Sequence, residues 1–336
     1  MYERHFGFSR PLFPDGLAQD DAVFKTRALE QLVRDLEIAL TRKDSVAVVS
    51  GMSGTGKSTI ATDALKNINT RLAFCRISHA LLTPHELLEQ LLTDFGFEPY
   101  KMSRVERLQL WRQFLSEMAA TDTRVCLLVE NADGLSTEVL LSLHHLTAAD
   151  AALSPGANII LTTTRPPDRF LTTEAMLAFN QRVRLRRRID PLTESETAEY
   201  LAFKCREAGT DCARIFADDV PRQLYELSGG VFRVLENLLE SALISAAAAS
   251  ESRVTRARLE DTAEQQLGIT RLKPEQVEDL LGESTAGGSR QAPAFDEIPT
   301  LTELVGLIER TEPIGLHAEN RPTSVLSRQA GGSRRH

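Results

Sequence analysis

The residues most fitted to chemistry run consecutively: Gly51, Met52, Ser53, Gly54, Thr55, Gly56, Lys57, Ser58 and Thr59. They follow the pattern G-x-x-x-x-G-K-[ST], a loop that wraps phosphate. Gly51, Gly54 and Gly56 can take backbone angles closed to other residues, so the loop can turn its N–H groups inward onto an anion. A helix opening at the end of the loop adds partial positive charge at the same point. Lys57 is placed to reach the outer phosphates of a nucleotide, and the Ser58 hydroxyl to reach Mg²⁺. The flanking residues supply the context that the motif needs. Ser45–Ser50 reads as a short apolar strand, and Ile60–Leu65 as the start of a helix.

Hydrolysis asks for more: an acid near the metal and a group that orients the attacking water. The apolar run Cys126–Val129, followed by Glu130 and Asn131, stands where a strand would present both. Two registers are open. In one, Glu130 reaches a metal-bound water, and Asn131 is the water-orienting position, able to hold water by hydrogen bonds but not to take its proton. In the other, Glu130 orients the water and Val129 occupies the metal position. Either way one of two carboxylates is missing, and Asp133 is the next acid along. Thr163, with Thr164, closes a further apolar strand from Asn158. It is placed either to touch the γ-phosphate or water, or simply to face solvent. Arg182 opens a basic, alternating strand that reads as a sheet edge. There it is either an arginine finger for a neighbouring subunit or a solvated charge. Arg233 follows Gly229-Gly230 at a helix start. It can reach over bound phosphates when a helical lid closes, or stay exposed.

The elements that must position these residues show in the periodicity. Apolar positions recur at helical spacing over 21–41. Strand candidates at 71–77, 124–129, 158–164 and 182–186 join the strand before the loop, separated by helices. Near-continuous apolar interior strands between helices predict a parallel sheet covered on both faces. Thr83-Pro84-His85-Glu86 and Thr193–Glu196 read as helix-opening capping boxes. Beyond Pro191 helices alone follow, near 194–208, 219–228, 232–248 and 256–266. The predicted organisation is an irregular segment 1–20 packed on the core, an αβα domain over 21–191, a helical lid over 192–267, and a mostly disordered tail over 268–336 with one short helix at 301–310.

Composition excludes several classes. The chain has 336 residues, 42% of them hydrophobic and 26% charged, which suits a soluble globular protein of about two domains. A net charge of −8 gives no overall case for nucleic acid, which leaves the Arg182–Arg188 run as the local candidate. No long apolar run predicts a membrane span, and the start lacks the apolar core of a signal peptide, so a cytoplasmic protein is expected. The four cysteines form no C-x-x-C pair, and Cys75 and Cys126 sit in apolar strands as buried thiols.

Taken together the motifs resemble those of AAA+ ATPases of the ExeA/GspA type, which accompany secretion, pilus and exopolysaccharide systems. The resemblance rests on Met1–Phe8, the phosphate loop and Val129-Glu130-Asn131-Ala132-Asp133-Gly134-Leu135. It continues through Asn180-Gln181-Arg182, Pro191–Tyr200 and Leu227-Ser228-Gly229-Gly230-Val231-Phe232-Arg233, and so covers about residues 1–266. It implies a five-stranded αβα fold with a helical lid, ATP and Mg²⁺ as cofactors, a homo-oligomeric ring or filament, and a protein partner in envelope assembly. Asn131 departs from the family's catalytic glutamate. Slow hydrolysis is the expectation that follows, with an ATP-binding oligomerisation switch as the alternative. Lid and sheet also resemble those of transposition ATPases of the TniB/TnsC type, which bind DNA.

Overall fold

The computed structural model describes residues 2–14, 22–68, 70–78, 83–150 and 155–266. Five strands pair in parallel: β1 (Val46–Gly51), β2 (Leu72–Ile77), β3 (Arg124–Val129), β4 (Asn158–Thr163) and β5 (Val183–Ile189). Their order across the sheet is β2-β3-β4-β1-β5. Chain order and spatial order part at β1, because β4 inserts between β1 and β3. The carboxyl ends of β1, β4 and β3 therefore lie side by side, with Ser50 opposite Thr163 and Val129 opposite Leu161. In an open α/β sheet such a switch point is where ligands bind.

Side-chain alternation gives the central strands β1, β3 and β4 two buried faces. On one, Ala47, Val49, Cys126, Leu128 and Ile160 pack against α2 (Arg27–Leu40) and α3 (Lys57–Asn67). On the other, Val48, Leu127, Val129, Ile159 and Leu161 pack against α4 (Pro84–Asp94), α5 (Arg104–Ala120) and α6 (Thr137–Thr147). Both layers exclude water, so the central strands read as near-continuous apolar runs, whereas the edge strand β5 alternates with arginines. The helices start where the sequence caps them. Thr83 with Glu86 and Ser103 with Glu106 make reciprocal capping boxes, and Thr26 accepts from the Leu29 N–H at 3.3 Å.

Two short helices, α7 (Asp168–Leu171) and α8 (Leu177–Gln181), precede β5. Past β5 come α9 (Glu194–Glu207), α10 (Cys212–Ile215), α11 (Val220–Ser228), α12 (Phe232–Ala248) and α13 (Arg256–Gln266). They close on their own core of Leu201, Leu224, Leu235, Leu239 and Leu259. Gly229 ends α11 in the left-handed conformation. Gly230 can be no other residue without rearrangement, since a Cβ there would lie 2.0 Å from the Leu192 carbonyl oxygen. The result is an αβα sandwich with a helical part after it. The expected tail and its helix at 301–310 lie outside the described residues.

Two expectations need correction. The opening segment packs on a core, as expected, but it is not wholly irregular. Tyr2–Phe6 form a helix, α1, and Tyr2, Phe8 and Leu12 sink into the helical domain's core. The Ser9 N–H donates to Ala208 O at 2.9 Å, so the strap is hydrogen-bonded to the end of α9. Arg182 is likewise no exposed strand opener. It precedes β5, is 9% exposed, and sits at the amino end of the sheet, where its carbonyl accepts from the Val46 N–H at 3.0 Å. The phosphate loop leaves the opposite end of that strand. Its guanidinium donates to Asp44 O at 2.9 Å, Thr147 Oγ1 at 2.9 Å, Thr147 O at 3.1 Å and Ala157 O at 3.2 Å. Burial holds its pKa below the ordinary arginine value, with Asp44 opposing. An arginine saturated by its own chain offers nothing to a neighbouring subunit.

Arg182→Met should therefore destabilise the fold by about 3 kcal/mol, because it leaves buried carbonyls without donors. Urea unfolding measures it. Wild-type stability together with lost ATP turnover would return Arg182 to the role of a finger.

Candidate functional site

The loop leaves β1 at Gly51 and ends at Gly56, the residue before α3. Gly54 and Gly56 take φ of +81° and +80°, angles that strain any residue with a Cβ. No side chain caps α3. The N–H groups of its first turn, from Lys57, Ser58 and Thr59, have no acceptor within the helix and suit an anion. Thr55 is fully buried, and its hydroxyl donates to Met52 O at 2.9 Å, bracing the turn through Met52, Ser53 and Gly54.

Lys57 is 6% exposed, and its ammonium folds back on the loop, donating to Gly51 O at 2.8 Å and Met52 O at 2.7 Å. Burial pulls its pKa down to about 8. Asp133 and Glu130 push the other way, and Arg233 adds to the depression. A charged lysine held in a nearly dry site stores free energy that a bound phosphate would release.

Glu130 follows β3 on the α3 side of the sheet, in line with Cys126 and Leu128. Val129 points the other way, into the core under α4 to α6, and is fully buried. The two registers left open by the sequence are thus distinct in space: of the pair, only Glu130 shares a face with the helix that carries Ser58. Glu130 is 7% exposed. One carboxylate oxygen, Oε2, accepts from Arg76 Nε on β2 at 2.8 Å. The other, Oε1, is buried with no hydrogen-bond partner in the protein. An orphaned anionic oxygen beside a phosphate loop fits a metal ion or its water.

Asn131 is exposed, in the left-handed conformation at φ 50°, ψ 45°, where the chain turns after β3. Its N–H donates to Thr162 Oγ1 at 3.3 Å. Asparagine tolerates that conformation better than most residues, which gives its presence a backbone reason besides any chemical one. Asp133 is committed to the β4 exit, accepting from the Thr164 N–H at 3.1 Å, the Thr164 hydroxyl and the Arg165 N–H at 3.2 Å. Thr163 is fully buried at the end of β4, and its hydroxyl donates to Arg165 O at 2.6 Å. By alternation Thr162, not Thr163, shares the Glu130 side of the sheet. Counting by twos from Ile160 finds it in the sequence.

Arg233 opens α12, exposed, its N–H donating to Gly54 O at 3.2 Å. A Cβ on Gly54 would stand 2.8 Å from Arg233 Cβ, and one on Gly56 would stand 3.6 Å from the Phe232 ring. The helical domain therefore rests directly on the phosphate loop. Beside it, Phe24, Tyr200 and Phe232 stack edgewise, with centroids 5.3 Å, 5.0 Å and 6.4 Å apart. This aromatic wall comes from three distant stretches and had no signature in the sequence. The structure sets Glu130 and Arg233 beside the loop, turns the Thr163 hydroxyl to Arg165 O and leaves Asn131 exposed, with Arg182 at the far end.

A family model for the AAA domain matches residues 40–167. General secretion pathway protein A of Aeromonas hydrophila is 26% identical over 271 residues, 80% of this chain and 49% of the relative. The chain thus spans about half the length of that curated relative. Among solved structures, the Aeropyrum pernix ORC2 protein, in ADPNP-ADP complexes, superposes with a TM-score of 0.58 at 12% identity, covering 78% of this chain and 73% of that one. Cdc6p from Pyrobaculum aerophilum gives 0.59 at 14%, covering 74% and 69%. At these identities the likeness is one of fold. No helix among the described residues is long and apolar enough to cross a membrane.

The lysine gives a stability test. Its pKa falls from 10.5 unfolded to about 8 folded, so between those values the unfolded chain binds more protons, and stability rises with pH across the window. Lys57→Met should be more stable than wild type at pH 7, with the gap narrowing from about pH 8 to 10.5 in urea titrations. A gap that does not change with pH would mean that the ammonium is not strained.

Proposed function

We propose, from a chain that carries an AAA domain, that this protein binds Mg-ATP and hydrolyses it slowly to drive assembly or remodelling of a secretion, pilus or exopolysaccharide system in the cell envelope. The nucleotide half of the proposal rests on one observation above others. A buried carboxylate with one unpaired oxygen, Glu130, stands by the strained lysine of a glycine loop on a helix N-terminus. The envelope half rests on the similarity to general secretion pathway protein A, and a homo-oligomeric ring or filament and a cytoplasmic location go with it.

Each residue has a part in this reading. The backbone from Gly51 to Gly56 and the first turn of α3, with Ser58 and Thr59, cradle the phosphates. Lys57 gives up the Gly51 and Met52 carbonyls for the outer phosphates. Ser58 and Glu130 would hold Mg²⁺, which would supply charge neutralisation for the phosphates. The Phe24–Tyr200–Phe232 wall offers the purine an apolar face beside the loop. Arg233, entering with the lid, reaches the phosphates from above, and Thr163 with Thr162 steadies the β4 exit. Asn131 is left to orient water without taking its proton, hence slow turnover.

A second reading, an ATP-binding oligomerisation switch with little hydrolysis, draws on two observations. Arg76 holds Glu130 Oε2, and Asn131 points into solvent. A DNA-acting role has less to draw on. Of the β5 arginines, Arg186, Arg187 and Arg188 are paired with Asp168, Asp35 and Asp190.

Steady-state ATPase assays separate the first two readings. Lys57→Ala should lose ATP binding, and Glu130→Gln should lose turnover while still binding nucleotide. Asn131→Glu should raise turnover. The left-handed backbone costs glutamate about 1–2 kcal/mol, while general-base help is commonly about 10²–10⁴-fold, or about 3–5 kcal/mol. A Glu130→Gln variant as active as wild type would overturn the site. No gain from Asn131→Glu, with negligible wild-type turnover, would favour the switch.

A further inference from the structure

Away from the nucleotide site, two cysteines meet in the helical domain. Cys205 lies in the last turn of α9 and is 1% exposed, while Cys212 opens α10 and is partly exposed. The turn between them is tight. The Thr210 N–H returns to Cys205 O at 2.9 Å, Gly209 takes φ +75°, and Asp211 caps α10 by accepting from the Ala213 N–H at 3.1 Å. This fold-back sets the two Sγ atoms 2.7 Å apart, well inside non-bonded contact. The two thiols are hydrogen-bonded to each other. The hydrogen bond between the thiols raises Cys205, with burial adding to it, and lowers Cys212 against burial and Asp211, with Arg206 helping. Thiolate character thus falls on the sulfur that solvent can reach. Cys75 and Cys126 differ on each count. They face opposite sides of the sheet, both buried, and burial pushes their thiols up.

We propose that Cys205 and Cys212 are a reversible redox pair that takes a hydroperoxide as oxidant. The Cys212 thiolate attacks the hydroxyl-bearing peroxide oxygen, the O–O bond breaks, and hydroxide, or the alkoxide of an organic hydroperoxide, leaves, giving a sulfenic acid at Cys212. The Cys205 thiol then attacks that sulfur. An S–S bond forms, the S–O bond breaks, and the thiol proton leaves with the hydroxyl as water. Two sulfurs are each oxidised by one electron, and the two peroxide oxygens are reduced. A dithiol reverses the change by exchange. The bridge would close the turn 206–211, to which the amino-terminal strap is fastened. Ser9 donates to Ala208 O from both its N–H and its hydroxyl, and Arg10 Nε donates to Glu207 O at 2.7 Å. Oxidation would therefore stiffen the junction between strap and lid.

The test uses the full chain, reduced, then exposed to hydrogen peroxide and quenched. Thiols are counted after denaturation and the peptides mapped without reductant. The expected result is a fall from the four thiols of the sequence to two, with a linked Cys205–Cys212 species two hydrogens lighter and Cys75 and Cys126 unmodified. Dithiothreitol should restore all thiols, and the oxidised protein should melt about 5 °C higher, as a short closed loop predicts. Cys212→Ser and Cys205→Ala should each lose the bridge and the melting shift. Retention of every thiol, a bridge elsewhere, or a sulfinic acid at Cys212 with Cys205 free would overturn the proposal.

Discussion

The structure depends on a bare stretch of backbone. Gly54 and Gly56 let the phosphate loop turn in left-handed conformations, and they also let a second domain lie on it. The start of α12 comes so close that a methyl group on Gly54 would collide with Arg233. One backbone hydrogen bond, from the Arg233 N–H to Gly54 O, ties lid to loop. Any change in the loop's shape on binding phosphate is therefore felt by a 17-residue helix that carries an arginine on its first turn. Coupling between nucleotide and lid needs no longer pathway than this contact.

The sheet then decides which residues join the loop. Because β4 lies between β1 and β3, three strand ends share one edge, and alternation sorts their last residues. Glu130 and Thr162 turn toward α3, whereas Val129 and Thr163 turn away from it. The two helix layers are built from apolar stripes that bury nearly every residue of the central strands β1, β3 and β4, so on these strands the polar groups emerge mainly where the strands end. Stability is given up at that point: Lys57 is buried with its charge, and Glu130 keeps an oxygen without a partner. Functional sites commonly hold such strain.

Much of this was legible in the sequence because the signals were local. Strand, loop and helix at 45–65, the capping boxes at Thr83 and Thr193, and the helices after Pro191 follow from periodicity and cap chemistry within a few residues. What escaped was non-local. Arg182 looks like an exposed edge charge until Asp44, Thr147 and Ala157 converge on it from separate segments. The aromatics of the first residues read as packing for a core without saying which, and their partners prove to be the helices after β5, some two hundred residues away. The Phe24–Tyr200–Phe232 wall and the Cys205–Cys212 contact likewise require the folded chain. In sequence Asn131 offers only its amide, and its left-handed backbone, which no sequence pattern reveals, gives an independent reason for an asparagine there.

The account stands on the claim that the glycine loop holds nucleotide while the lid rests on it, and Gly54→Ala addresses that claim with one methyl group. ATP affinity of this variant, measured by titration calorimetry beside the wild type with Mg²⁺ present, should fall about tenfold or more, because the left-handed turn and the contact with Arg233 are lost together, while the core domain stays folded by circular dichroism. Unchanged affinity in a folded Gly54→Ala protein would contradict it.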